Sequence, residues 1–575
     1  MLIRRSVFVD LFLIALMGLG ALWLVFFNGF PIGDDYKNQI IAYEAFKEQV
    51  QAGELYPRWL HNINHGFGGA NLFFYPPLIY YVSYFIDIVG LQQFDTLHVL
   101  ILNVSFFLIL SGITCYFWLS SFCSRYASVV GALLYMIAPY HLFIDVYERN
   151  NVAEFAAFAW IPLLFLLSLR QPFPKYVLGI LLALVYALFL VTHLPSAVFV
   201  TPFLVFAKGC SILTAHERSI EKISTFGVFL FCLFLGGCLA GIYLYPALTL
   251  LDSVRSQVLW SGPFYDYKQW FLWWPSSSWP PVFKNYGVLL FAIASFQFFV
   301  PLALFVYFFL NLDESRVKDG LPFMLSAGFC FFLMTPFSHF VWVLFEPLQK
   351  IQFPFRLLML SDFFFVSLIA FFISMPPSGR QNDRFVSFFR LCLISSAFFA
   401  LSLFTFNFVR LSWHPDSAFF EYRIKHKILT GEFIPKNKEM TVTIHDFVEK
   451  TPAYPLWRFD GPLAEVTIMK NLPRQMVFRV NSPDQTVFIL RQFHFIGWRS
   501  QITFEDGNHN DLVISPLEPY GQISVNLPPG AYTLSFFIPA LPQEQVGALI
   551  SLSGLVAWLF LFLYSCFKVR MGKHT

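Results

Sequence analysis

Arg4-Arg5, an apolar run from Leu11 to Phe27, then Gly33-Asp34-Asp35-Tyr36: the reading of this stretch decides the fold. The run is long enough to cross a bilayer as a helix. It could pass for a secretory signal, but no small-residue cleavage site follows it, so it reads as a retained first span. The two arginines place its amino end in the cytoplasm by the positive-inside rule. The carboxylate pair then emerges on the opposite face.

Further apolar stretches follow near 99–120, 127–145, 152–169, 175–193, 196–213, 223–250, 286–310, 320–338, 357–375, 387–409 and 546–567. Counting crossings puts Arg125, then Arg170 and Lys175, then Lys208, Arg218 and Lys222 on the inner side. Arg316 and Lys318, then Arg380, Arg384 and Arg390, then Lys568, Arg570 and Lys573 fall there too. Every inner loop is basic, which a wrong count would scramble. The expectation is a polytopic α-helical membrane protein of about a dozen spans with both termini cytoplasmic. Composition agrees: 57% of residues are hydrophobic and 13% charged, where a soluble chain carries about twice that charge. With a net charge of only +3, nothing argues for a nucleic-acid partner. The eight cysteines lie in or near spans or on the inner side, so no disulfide framework is expected.

Three outer segments stand out: 28–97, 252–286 and 411–544. In the first, Tyr36 to Gly53 has helical spacing, while Leu72 to Val89 is apolar but broken by Pro76-Pro77 and reads as interfacial or re-entrant rather than spanning. Counting it as a span would turn the basic loops outward. In the third, 485–491, 498–504 and 522–527 have strand patterns, separated by Asp506-Gly507-Asn508 and Pro528-Pro529-Gly530. The division expected is a membrane domain over 1–410, a β-rich, sandwich-like extracytoplasmic domain over 411–544, and a last span with a basic cytoplasmic tail over 545–575.

Candidate chemistry collects on the outer side. Asp34 and Asp35 suit a general base for a sugar hydroxyl, or ligands for a divalent cation that neutralises phosphate. One of them is equally suited to cap the helix that follows. His61 and His65 are four apart, a spacing that on a helix would let both bind a metal, although Gly66-Phe-Gly68-Gly69 argues for a loop. Arg149 and Glu154 flank an outer turn and can grip and orient a phosphate or close the hairpin as an ion pair. Arg356 enters a span from outside, with a planar fork that matches two phosphate oxygens. His193 sits at another outer turn, and Trp270–Trp274 form either a sugar-stacking surface or an interfacial belt.

Several strings resemble one family. Leu55-Tyr-Pro-Arg58-Trp59, Gly66-Phe-Gly68 and Phe73-Phe-Tyr75-Pro76-Pro77-Leu-Ile-Tyr80-Tyr81 are similar to the first outer loop of bacterial "6-pyruvoyl-tetrahydropterin synthase-related" membrane proteins. Ala153-Glu154-Phe, Thr192-His193-Leu, Gln352-Phe-Pro-Phe-Arg356, Gly431-Glu432-Phe-Ile-Pro435 and Phe495-Ile-Gly497-Trp498 continue the resemblance. The chain has no soluble synthase domain and no three-histidine zinc cluster, so the pterin activity does not carry over. The family resembles the GT-C glycosyltransferases, which implies a large first outer loop with an acidic residue just after the first span, matched by Asp34 or Asp35. It also implies Arg149 or Arg356 as phosphate-binding candidates, with Arg58, Glu154 and His193 as further substrate contacts. The implied activity is an inverting transfer from a polyprenyl-phosphate-linked sugar to a glycan, lipid or protein acceptor of the cell envelope, on the periplasmic face of the bacterial inner membrane. A divalent cation (Mg or Mn) and membrane lipid are expected partners. The alternative is a non-catalytic scaffold or a lipid-glycan transport component. Transport predicts mid-span charges and repeated halves, and the sequence shows no repeat and few such charges, with Asp362 placed near a helix end.

Overall fold

The computed structural model describes residues 5–30, 33, 35–170, 175–214, 218–257, 265–273, 284–311, 320–374, 423–429, 433–436 and 455–571. Among these, eight helices are long and apolar enough to cross a membrane, and the pair Leu321–Leu333 and Pro336–Leu344, bent by 89°, supplies a ninth if it counts as one span. The chain is a polytopic helical membrane protein with a β-rich domain near its carboxyl end. The stretch 387–409, expected to span, lies outside the described residues.

Two expected spans are broken. The first divides into Arg5–Ala21 and Trp23–Asn28. The run 223–250 becomes Ser219–Leu239 and Gly241–Thr249, with Pro246 inside the second piece. A proline has no amide to offer the carbonyl four residues back. That carbonyl, on Ile242, instead accepts from Arg58 Nη2 at 2.7 Å.

The ends of the helices sort as the charge pattern predicts. Arg125 grips the buried Asp10 in the first helix through Nε at 2.8 Å and Nη2 at 2.7 Å. Nearby, Arg170 lies 4.6 Å from the Phe122 ring and Ser124 N donates to Ser374 Oγ at 2.9 Å. The opposite end carries Arg149, Glu154, His193 and Arg356. Asp362 is the fifth residue of the helix Leu358–Ser374, close to its start as expected, and is fully buried, accepting from Gln297 Nε2 and, at 3.2 Å, from His141 N.

The β-rich domain holds nine antiparallel strands: β1 Trp457–Asp460, β2 Glu465–Leu472, β3 Gln475–Ser482, β4 Thr486–Phe493, β5 Arg499–Thr503, β6 His509–Leu512, β7 Ser515–Leu517, β8 Gln522–Leu527 and β9 Gly530–Phe537. One sheet runs β1-β4-β8-β7 and the other β2-β3-β9-β5-β6. Alternate residues face inward, so Tyr532, Leu534 and Phe536 of β9 are buried. Phe478 and Phe536 of one sheet meet Phe488 of the other at 5.4 and 5.8 Å, which makes the pair a sandwich.

The first outer loop is stitched into that sandwich. It forms the helix Tyr36–Gln51, then a short 3₁₀ turn, then Asn71–Phe74 and Leu78–Val89 on either side of Pro76-Pro77. Trp59, Phe67 and Phe73 share one apolar core with Phe493, Phe495 and Trp498. Trp59 Nε1 donates to Gln492 Oε1 at 2.9 Å, and Gln492 Nε2 donates to the carbonyls of His61 and Gly66 at 2.9 and 2.7 Å. A buried amide that satisfies three partners in this way fixes the loop and the sandwich in one register.

Candidate functional site

The site grows from an unusual piece of helix. Pro139–Glu148 is π-helical, and its last turn closes with Arg149 N on Ile144 O at 2.9 Å. A π-helix takes about 4.4 residues per turn, so Tyr140, Asp145 and Arg149 fall on one face. On an α-helix, at 3.6 residues per turn, Tyr140 and Arg149 would face opposite ways. The Arg149 Nη1 then meets Tyr140 OH at 3.0 Å, Asp145 Oδ1 at 3.0 Å and Glu154 Oε2 at 2.9 Å.

Glu154 is the hub. It is fully buried, and its Oε1 accepts from Tyr140 OH at 2.7 Å. Its Oε2 accepts from Asn151 Nδ2 at 3.0 Å and lies 3.2 Å from Arg356 Nε. Arg356 rides on the 3₁₀ turn Pro354–Leu357 and anchors Nη1 on Ile351 O at 3.0 Å. One carboxylate thus orients two guanidinium groups from distant parts of the chain. Its lone pairs are taken by donors, so it suits a counter-ion rather than a base.

Asp35 comes to this group through its backbone. Its N–H donates to Arg149 O at 2.9 Å, and Gly33 N donates to Asn150 Oδ1 at 2.6 Å. Asn150 holds a left-handed backbone, φ 52°, a conformation asparagine tolerates, and clamps Nδ2 on Val146 O at 2.6 Å. Asp35 stands at the helix N-cap position, yet its side chain caps no backbone N–H. Its Oδ1 instead accepts from Asn38 Nδ2 at 3.2 Å. Burial raises the Asp35 carboxyl above the ordinary range, while the Arg149 and Arg356 guanidiniums pull it back down. Asp34 lies outside the described residues.

His193 lies beside the group, with Nδ1 2.7 Å from Ser196 Oγ. Burial pushes its imidazole down to about 3 despite the attraction of Glu154, so it is neutral at ordinary pH. His61 and His65 are elsewhere, on the loop face that meets the sandwich. His65 has φ 56° in a 3₁₀ turn and packs 4.8 Å from the His426 ring, so the helical four-residue spacing does not apply. Among the described residues no three His, Cys, Asp or Glu side chains gather to hold a metal ion. Arg58 belongs to a separate ionic group with Glu544 and Arg474. Of the aromatic run, Trp270 is buried with its ring 5.2 Å from Phe353, Trp273 is exposed with its ring 4.9 Å from Phe337, and Trp274 lies outside the described residues.

Sequence reasoning missed Tyr140, Asp145, Asn150 and Asn151, which do as much to build the site as the residues it named. The four-residue gap between Asp145 and Arg149 was the available signal.

No protein-family model matches the chain, and no curated protein does. Among solved structures it is similar to the archaeal oligosaccharyltransferase AglB from Archaeoglobus fulgidus in complex with an inhibitory peptide and a dolichol-phosphate, at 12% identity and TM-score 0.42, over 75% of this chain and 60% of that one. A second is the Archaeoglobus fulgidus oligosaccharyltransferase in the apo form, at 13% identity and TM-score 0.39, over 75% and 57%. The chain spans less than two thirds of the length of either, and at these scores the likeness carries no statement about activity.

Proposed function

We propose that this chain is an inverting membrane glycosyltransferase of GT-C type, moving a sugar from a polyprenyl-phosphate donor to a cell-envelope acceptor on the extracytoplasmic face. The observation that carries this reading is the juxtaposition of one half-buried carboxylate, Asp35, with two buried arginines held by Glu154. In the step proposed, the acceptor hydroxyl oxygen attacks the anomeric carbon. The bond from that carbon to the phosphate oxygen breaks, and the phosphate leaves with the electron pair. Asp35, or its neighbour Asp34, takes the hydroxyl proton. Arg356, whose Nη2 hydrogen-bonds no described residue, meets the charge that develops on the phosphate. Arg149 and Glu154 are positioning residues. A single displacement inverts the anomeric centre.

The test is complementation of an envelope-glycan defect by Asp34→Asn, Asp35→Asn and the double variant, with membrane levels checked. Loss of a positioned base costs roughly 10²–10⁴-fold in rate, so the expected outcome is lost glycan at normal abundance in at least one single variant. Full activity in the double variant would overturn the catalytic assignment and favour a scaffold or transport role.

A further inference from the structure

A second set of ionisable groups lies away from the Asp35 site. An open groove of about 770 Å³ runs between the first outer loop, the Gly241–Thr249 helix, the β2–β3 turn and the start of the Pro542–Met571 helix. Glu544, in the first turn of that last helix, accepts from Arg58 Nε at 2.9 Å and from Arg474 Nη1 and Nη2 at 2.9 and 2.8 Å. Arg58 is 3% exposed, with its guanidinium carbon 4.3 Å from the Tyr56 ring centroid.

These groups are incompletely satisfied. Arg58 Nη1, Arg474 Nε, Tyr56 OH and Glu54 Oε2 are all shielded from water and have no hydrogen-bond partner. An orphaned guanidinium nitrogen on a buried arginine leaves a penalty of desolvation that a ligand can relieve. Two arginines against Glu544 leave a net charge of +1, provided Glu54 is neutral. The remaining lining includes Ile242, Leu472, Ile538 and Ala548, which are apolar. Beyond the groove, the last helix presents Leu549, Leu552 and Val556 outward along one stripe of a helix long and apolar enough to cross a membrane.

We propose that this groove binds the monoanionic phosphodiester headgroup of a membrane lipid, received by Arg58 Nη1, Arg474 Nε and Tyr56 OH, with the acyl chains lying along the last helix. A single negative charge matches the net charge of the site, and the apolar walls match the glycerol backbone and chain roots. Glu54 regulates the fit. Burial raises its carboxyl to about 7, with Arg474 and Arg58 holding it down and Glu544 pushing it up. Arg58, Arg474, Glu544, Tyr56 and, from the Leu78–Val89 helix, Tyr81 are the charged or titratable groups facing it. Ionisation of Glu54 brings the site to zero net charge and weakens the lipid. The proposal is independent of the transferase reading, because binding needs no turnover.

The test is native mass spectrometry of the full-length protein in neutral detergent, titrated with phosphatidylglycerol, phosphatidylcholine or soluble glycerophosphoglycerol. Retention of phosphatidylglycerol over phosphatidylcholine by about tenfold or more is expected, since phosphatidylcholine brings the same phosphate together with a choline cation that a site of net positive charge repels. Tyr56→Phe, which keeps the ring over Arg58, should weaken retention several-fold. Retention should fall as pH rises through about 7, and Glu54→Gln should abolish that dependence, because a phosphodiester does not itself titrate there. Equal retention of both lipids, or no change in either variant, would overturn the site. Binding of glycerophosphoglycerol as tight as that of the lipid would overturn the membrane source.

Discussion

Gly33 shows how little freedom the segment carrying Asp35 has. A Cβ added there would stand 2.2 Å from Glu148 O and 2.4 Å from Asn150 Oδ1. The first is backbone and cannot step aside, so Gly33→Ala must lift the segment off Asn150 and carry Asp35 with it. A displacement of about 1 Å at a reacting group costs roughly 10²-fold. Transfer should fall by that order while membrane abundance holds, read by glycan formed per unit of protein. Asp35 itself gives a pH signature. It accepts a proton only when ionised, and burial raises its carboxyl above the ordinary value. The rate should therefore climb with pH through a limb higher than that of a solvated aspartate. Arg356 holds that carboxyl down, so Arg356→Gln should move the limb to still higher pH, checked by kcat/KM across the acid range.

At the scale of elements, the π-helical turn explains both what the site does and why it was only half legible. Reading Asp34, Asp35, Arg149, Glu154, His193 and Arg356 as outer-side residues needs only the span count and the sign of the loops, and the structure gathers all of these except Asp34, which is not described. Asp145 stands four residues before Arg149, a spacing an ordinary helix also pairs, but reading Tyr140 as a partner needs a helical period other than 3.6, and nothing in a list of residues announces a π-helix. The helix Tyr36–Gln51 and the break at Pro76-Pro77 were legible from spacing and from proline's missing donor. Strands β4, β5 and β8 were legible from their flanking turns, but their division between two sheets is a long-range fact. The hub built by that turn predicts a strong asymmetry between its members. Glu154→Gln leaves Arg149 and Arg356 without their shared counter-ion, and breaking a buried pair from one side costs about 3–5 kcal/mol. Tyr140→Phe removes only hydrogen bonds to partners that keep others and should cost about 1–2 kcal/mol. Thermal inactivation in detergent should rank the two in that order.

At the scale of the whole molecule, the first outer loop joins the membrane helices to the sandwich. Trp59 is fully buried, packed 5.5 Å from Phe495 and 6.0 Å edge-on from Trp498. Tyr243, in a membrane-side helix, donates to Phe74 O at 2.8 Å on the same loop. Trp59→Ala should cost about 3–5 kcal/mol and expose the loop to limited proteolysis before the helices, seen as early cleavage within 54–70. The shared core also limits what can be done with the β-rich region as a reagent. Expressed by itself, residues 455–541 would present Phe493, Phe495 and Trp498 as an open aromatic face, a surface that soluble proteins rarely leave uncovered. Such a fragment would self-associate, and an antibody or crystal form raised against it would report a face that the intact protein never shows. Fusing the first-loop segment 54–75 back onto the fragment is the way to recover a monomer.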